Sequence, residues 1–254
     1  MTYILILFLT YVLHLLLKLN WVCTAVVLVF LLVMQHFHRI KGQRFQEARK
    51  RFLDVSLYID TLLYSFLKEQ KIIRAFEDVK STLADGHMKE TVSRAIDHMM
   101  LTFDETEVFV DAMRIIEDEY KCNRIVNAHE FMAHAEYYGG DIKESARILL
   151  KDKSAWERRI LRNIEDRQRM FHQIILSVVT SVIISGIILY LPVLSMDISS
   201  NIIVQILSAA LIVLDDLIIL WGQKFLEVDY LGIDLLPEDD KHATVSYTHL
   251  TLPT

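Results

Sequence analysis

Two apolar stretches, residues 1–34 and 171–221, bracket a charged block at 43–169 that contains no such stretch. An apolar helix of roughly 20 residues crosses the ~30 Å hydrocarbon core of a bilayer, so a chain built this way holds a water-soluble module between two membrane attachments. Residues 171–191 and 202–221 each have that length and read as a transmembrane hairpin. Its connection, residues 192–201, begins with Pro192, is rich in small polar residues and has no Lys or Arg, whereas Arg158, Arg159, Arg162, Arg167 and Arg169 crowd the approach. Lys and Arg accumulate on cytoplasmic loops, which puts the connection outside and the arginines in the cytoplasm.

The N-terminal stretch is interrupted by Lys18-Leu19-Asn20-Trp21. We read this as a tight interfacial turn between two short spans; a polar break inside one tilted span is the alternative. The basic run Arg39, Lys41, Arg44, Arg49, Lys50 and Arg51 again marks cytoplasm, and a hairpin places the N-terminus there too. A signal peptide fits poorly, because the first apolar run is long, lacks preceding basic residues and is followed at once by a second. Hydrophobic residues make up 53% of the chain and the mean hydropathy is +0.30, although the central block is heavily charged, so one soluble module is embedded in a membrane protein. The net charge of −6 disfavours nucleic acid as a partner, and the basic clusters are better read as topology signals and anchors on anionic lipid. Cys23 and Cys122 are the sole cysteines, which provides neither a disulfide framework nor zinc-ligand spacing.

Between residues 43 and 169 there is no proline, and apolar residues recur at intervals of three and four, the signature of amphipathic helices. Phe45, Ala48, Phe52, Val55, Ile59, Leu62, Leu63 and Phe66 form one stripe, opposed by Glu47, Arg49, Lys50, Asp54 and Lys68. A second helix is expected at about 72–83, closed by Asp85-Gly86, where glycine takes the left-handed conformation cheaply. A third is expected at about 88–101. Thr102 and Glu105 have capping-box spacing for a fourth helix running to about Tyr120. A fifth, 123–138, stops at Gly139-Gly140, and Asp141 to Glu144 repeats the capping arrangement for a sixth that runs without a breaker toward Pro192. The expected fold is all-α: a cytoplasmic six-helix bundle (43–169) flanked by two transmembrane helical hairpins (1–36 and 170–222, four spans) and followed by a cytoplasmic tail (223–254).

Chemistry-bearing patterns are sparse. His129 and His134 flank a zincin-like segment, but five residues of helix rotate them about 140° apart, so they cannot share a metal, and both read as surface or boundary histidines. No glycine-rich phosphate loop follows a strand, and no cofactor or catalytic constellation is evident. Asp215 and Asp216 stand out, because a carboxylate in a spanning helix costs about 2.5–3.5 kcal/mol near its centre. They are either a polar contact with another helix or partner, or an interface-level pair reaching for water. They are not an aspartyl-protease dyad, since adjacent helical residues point about 100° apart. Asp104, Glu105, Glu107, Asp111, Glu117, Asp118 and Glu119 form an acidic surface, read first as a solvated face compatible with helix dipoles and second as a docking face for a basic partner.

Residues 57–67 (LYIDTLLYSFL) with 72–76 (IIRAF), and residues 136–149 (EYYGGDIKESARIL) leading through a basic helix to a hairpin, resemble the F-domain family of bacterial type II secretion and pilus-assembly inner-membrane proteins, especially the tight-adherence pilus branch. The resemblance spans about residues 52–221, and the Gly139-Gly140-Asp141 turn is its most specific part. It departs from the family at Lys68-Glu69-Gln70-Lys71, where a glycine is usual. The resemblance implies a non-enzymatic, multi-pass inner-membrane platform without cofactors. Its cytoplasmic bundle would engage a secretion ATPase through the acidic surface, its membrane part would meet pilin-like subunits, and it would act as a homo- or hetero-oligomer. An ion-driven motor stator subunit shares the order hairpin, cytoplasmic helices, hairpin, and would use Asp215 or Asp216 in an ion path. Residues 245–254 resemble translated sequencing-adapter read-through, an expectation that ends the natural chain near Thr244 and leaves room for a second F-type domain.

Overall fold

The computed structural model describes residues 2–101, 108–139, 142–191 and 201–231. Among them the chain is all-helical, with eight helices: α1 (Thr2–Leu16), α2 (Trp21–Glu69), α3 (Ile72–Thr82), α4 (His87–Leu101), α5 (Val108–Tyr120), α6 (Asn123–Tyr138), α7 (Ile142–Leu189) and α8 (Ile202–Lys224). The chain divides into two compact units, one formed by Met1–Lys50 with Arg162–Val228 and the other by Arg51–Leu161 with the segment after Val228. Helices α2 and α7 contribute to both.

The first unit contains three helical segments long and apolar enough to cross a membrane, within α2, α7 and α8. α1 is equally apolar but has 15 residues, about 22 Å of helix. Large apolar side chains point outward along all four: Ile4, Leu5 and Phe8 on α1, Val22, Val26, Val29 and Val33 on α2, Leu176, Val179, Ile183 and Ile187 on α7, and Ile203, Ile206 and Leu207 on α8 are more than half or nearly half exposed. A soluble protein does not leave continuous apolar surface of this extent in water, so these faces belong against lipid. Inside, Leu13, Leu17, Leu19, Val27 and Ile212 pack together with Leu31, Val182 and Leu189. Gly186 permits the approach of α1 to α7: a Cβ there would lie 2.6 Å from the Leu16 side chain, the close small-residue packing on which helices in lipid depend.

The turn after α1 is fixed by polar contacts. Lys18 takes φ 48°, its ammonium reaches the Leu189 carbonyl at 3.3 Å, and it stacks over the Tyr190 ring. Asn20 caps α2 by accepting from the Cys23 N–H at 2.7 Å. Gln205, almost fully buried, accepts from the Asn20 N–H at 2.7 Å and donates to the Lys18 carbonyl at 2.8 Å. The α1–α2 turn, the end of α7 and the start of α8 therefore share one end of this unit. Residues 192–200, the expected outward connection, lie outside the described residues.

The second unit is built on the apolar stripe of α2. Phe52, Val55, Ile59, Leu62, Leu63 and Phe66 are each at most 1% exposed, and α3 adds Ala75, Phe76 and Val79, α4 Val92 and Ala95, α5 Ala112 and Ile116, α6 Ile125 and Met132, and α7 Trp156 and Ile160. Phe52 meets Trp156 edge-on with centroids 5.1 Å apart. Gln70 (φ 52°) and Lys121 (φ 47°) end α2 and α5 in the left-handed region, which costs a non-glycine residue about 1–2 kcal/mol; each amide closes the last turn onto the carbonyl four residues back. The turn at 68–71 is thus a true helix break made without the glycine a tight turn prefers. α3 lacks a side-chain cap from its own flank, and its first N–H donates instead to Glu136 on α6 at 3.0 Å.

Candidate functional site

Asp215 and Asp216 lie just past the middle of α8. Asp216 faces α2: the His38 Nε2–H donates to its Oδ1 at 3.1 Å, and His38 Nδ1 lies 3.0 Å from the Gln223 side-chain oxygen. One turn further along α2, Lys41 donates to the Leu220 carbonyl at 3.3 Å. These three contacts join α2 to α8 at the end of the unit opposite the Lys18 turn. Asp215 points elsewhere. It is 7% exposed, and its Oδ2 is buried without a hydrogen-bond partner. Asp216 Oδ2 is buried without a partner as well, so Asp216 ties two helices together through one oxygen while each carboxylate keeps an unsatisfied acceptor in an apolar segment.

His38 and Gln205 were missed by the sequence reading. Each is a polar residue in or beside an apolar run, and polar side chains there almost always face the protein interior, which is the signal that was available.

In the turn motif, Gly139 adopts φ 69° and its N–H closes α6 onto the Ala135 carbonyl at 3.1 Å, a geometry that favours glycine. Gly140 and Asp141 lie outside the described residues. So do Asp104, Glu105 and Glu107 of the acidic surface, together with the Thr102 capping box. Asp111 pairs with Arg114 at 3.3 Å in the same helix, and Asp118 is exposed. Glu119 accepts from His87 at 2.7 Å, which holds its carboxyl below the usual range. Glu117 is turned inward.

The partner of Glu117 is His129, which overturns its reading as a surface or boundary residue: it is 1% exposed. His129 Nδ1–H donates to Glu117 Oε1 at 2.7 Å, which leaves Nε2 to accept from the Tyr58 hydroxyl at 2.6 Å. The chain Tyr58, His129, Glu117 joins α2, α6 and α5. Burial holds the His129 imidazole below its ordinary pKa, against the pull of Glu117 in the other direction. It is enclosed by Phe76 and Tyr58, so the chain of groups locks three helices together around an imidazole closed off from solvent. His134 is exposed and stacks near Tyr138, so the two histidines do not converge.

A second buried polar group lies nearby in the same unit. Lys153 of α7 is 2% exposed and donates to Asp60 of α2 and to Glu157 one turn on. Burial pushes the Glu157 carboxyl up, but the Lys153 hydrogen bond and charge bring it below its ordinary value on balance. Among the described residues no group of three His, Cys, Asp or Glu side chains is placed to hold a metal ion. No family model, curated protein or solved structure matches the chain.

Proposed function

We propose that this chain is a multi-pass inner-membrane platform of a pilus-assembly or type II-like secretion machine, one that passes displacement from a cytoplasmic secretion ATPase to pilin-like subunits. The observation that carries the reading is the continuity of α2 and α7. Each is helical without a break over 49 and 48 residues, from an apolar segment into the charged bundle. An unbroken helix keeps every intrahelical hydrogen bond across the boundary between the two media, which is what a mechanical relay requires and a flexible tether does not. The resemblance of residues 57–76 and 136–149 to the F-domain family supports the same reading. On it, the six helical segments of the second unit form the cytoplasmic bundle, and α1 is a fourth, short span whose length deficit is met by local thinning of the bilayer. The basic run 39–51 and the arginines at 158–169 keep the N-terminus and bundle in the cytoplasm. The platform hydrolyses nothing itself.

The test is binding of the full chain, in nanodiscs, to a secretion ATPase from the same genome, with Asp111→Lys/Asp118→Lys as the charge-reversed control. Saturable binding that weakens on charge reversal is expected. Absence of binding by a folded protein would overturn the platform reading in favour of a stator-like subunit, for which the unpartnered Asp215 Oδ2 is the supporting observation. In that case Asp215→Asn abolishes function driven by an ion gradient, whereas a platform tolerates it.

A further inference from the structure

Where α2 leaves its apolar segment, a cavity of about 540 Å³ opens between it and the start of α1, lined by Tyr3, Leu32, Gln35, His36, His38 and Arg39. Its size lies within the range of small-molecule sites. The lining changes character along one helix turn. Leu32 and Tyr3 are apolar or amphipathic and exposed, whereas Gln35, His36 and Arg39 present N–H donors, and none of the six lining residues is Asp or Glu. His38 has both ring nitrogens engaged, with Asp216 and Gln223, so it forms wall and leaves His36, Arg39 and Gln35 to meet a ligand. Toward its start the same helix carries the exposed apolar side chains Val22, Val26, Val29 and Val33, of which Val22 and Val29 lie within about 40° of His36 around the helix axis.

We propose that this cavity binds the phosphate of an anionic phospholipid, with the acyl chains laid along those side chains. An amphiphile matches both halves of the site: a phosphate diester accepts from the Arg39 guanidinium and the His36 and Gln35 N–H groups, the pairing in which arginine is strongest, and the apolar side chains cover methylene groups that would otherwise face lipid without order. The depth agrees, since the donors stand where the apolar segment gives way to the basic run, at the level of headgroups. A free phosphate ion offers the same oxygens but nothing for Leu32 or the valines. The inference is independent of the platform reading and holds equally for a stator-like subunit.

Native mass spectrometry of the full chain, purified in mild detergent and titrated with phosphatidylglycerol or phosphatidylcholine, tests it. One phosphatidylglycerol per chain is expected to bind saturably, with phosphatidylcholine bound less well. Arg39→Gln should weaken phosphatidylglycerol about five-fold, as loss of one headgroup-level charge does, and His36→Gln/Arg39→Gln further still. Arg49→Gln, which removes an equal charge from the same helix away from the cavity, should leave saturable binding in place. Equal binding by the double variant with unchanged helical content, equal losses in Arg39→Gln and Arg49→Gln, or displacement of the lipid by equimolar inorganic phosphate would each overturn the assignment, the last by giving the cavity to free phosphate.

Discussion

Asp60→Asn combined with Glu157→Gln is expected to destabilise the second unit by about 3–5 kcal/mol, the cost of leaving a buried charge uncompensated. Lys153→Met should stay within about 1.5 kcal/mol, as volume-conserving changes do. The asymmetry follows from where each partner sits. The Lys153 side chain is 2% exposed, while those of Asp60 and Glu157 are 38% and 31% exposed. Without Lys153, both carboxylates still reach water. Without the carboxylates, the ammonium remains in a narrow cavity that Ile59, Leu63 and Leu149 line together with Arg124, Asn127 and Asp152, and the amide oxygens that replace its two direct partners carry no compensating charge. A thermal or denaturant melt of the full chain, followed by helical circular dichroism, separates the two variants; equal losses would mean that the carboxylates, and not the lysine, require the pair. The pair also has a pH signature. The Glu157 carboxyl is held below its ordinary value of 4.5, so the unfolded chain binds the proton first as pH falls. The stability this contributes is present above about 4.5 and is lost as pH drops through the folded value. Lys153→Met should remove that acid dependence.

Much of the second unit was legible from helix periodicity and punctuation. α6 occupies Asn123–Tyr138, the span marked by the Tyr120-Lys121-Cys122 interruption and the Gly139 stop, and α3 and α4 begin and end within a residue or so of their expected limits. Local signals sufficed because caps, glycines and apolar spacing act within a few residues. The continuity of α2 was less visible: the expected hairpin closed at 36 and the expected bundle opened at 43, yet the helix runs through Gly42, where a Cβ would meet nothing within 4 Å. Glycine in a helix interior costs about 1 kcal/mol, too little to interrupt an otherwise favourable helix. Least legible were the buried polar groups. Lys153 occupies a core position in the series Ala146, Lys153, Trp156, Ile160, and His129 falls in the stripe Ile125, Ala128, Met132, so their burial could have been read from spacing. Their partners could not, since Asp60 lies 93 and Tyr58 71 residues away, and nothing local encodes a contact across that distance. At the membrane site, the contact of one carboxylate with another helix was an open alternative for a similar reason, because which of Asp215 and Asp216 finds His38 depends on the facing of α2 and α8.

His129→Leu is expected to cost about 3 kcal/mol, mainly because it strands the Tyr58 hydroxyl, and a buried polar group left without a partner costs about 1–3 kcal/mol, with imperfect filling of the imidazole site adding the rest. Tyr58→Phe should cost less, since only the Nε2 acceptor is then left bare, while the Glu117 carboxylate, 23% exposed, reaches solvent in either variant. The pH dependence distinguishes this chain of groups from ordinary core packing. Burial depresses the His129 pKa below 6.5 in the folded protein, so between 6.5 and that lower value the unfolded chain carries a proton that the folded one does not. Stability therefore falls as pH drops below about 6.5 and levels once the folded imidazole also protonates, with a slope of at most about 1.4 kcal/mol per pH unit for one proton. At the other end, burial and then the Glu117 charge raise the Tyr58 pKa well above 10.0. There the folded protein keeps a proton the unfolded chain releases, and stability falls as pH rises past about 10. The wild-type melting temperature should thus show a plateau bounded on both sides. His129→Leu should flatten the shoulder near pH 6.5 and leave the loss below about pH 4.5 that belongs to Glu157, whereas a wild-type shoulder near 6.5 that persists in His129→Leu would show that another histidine sets it and that the Tyr58–His129–Glu117 chain does not hold the imidazole neutral.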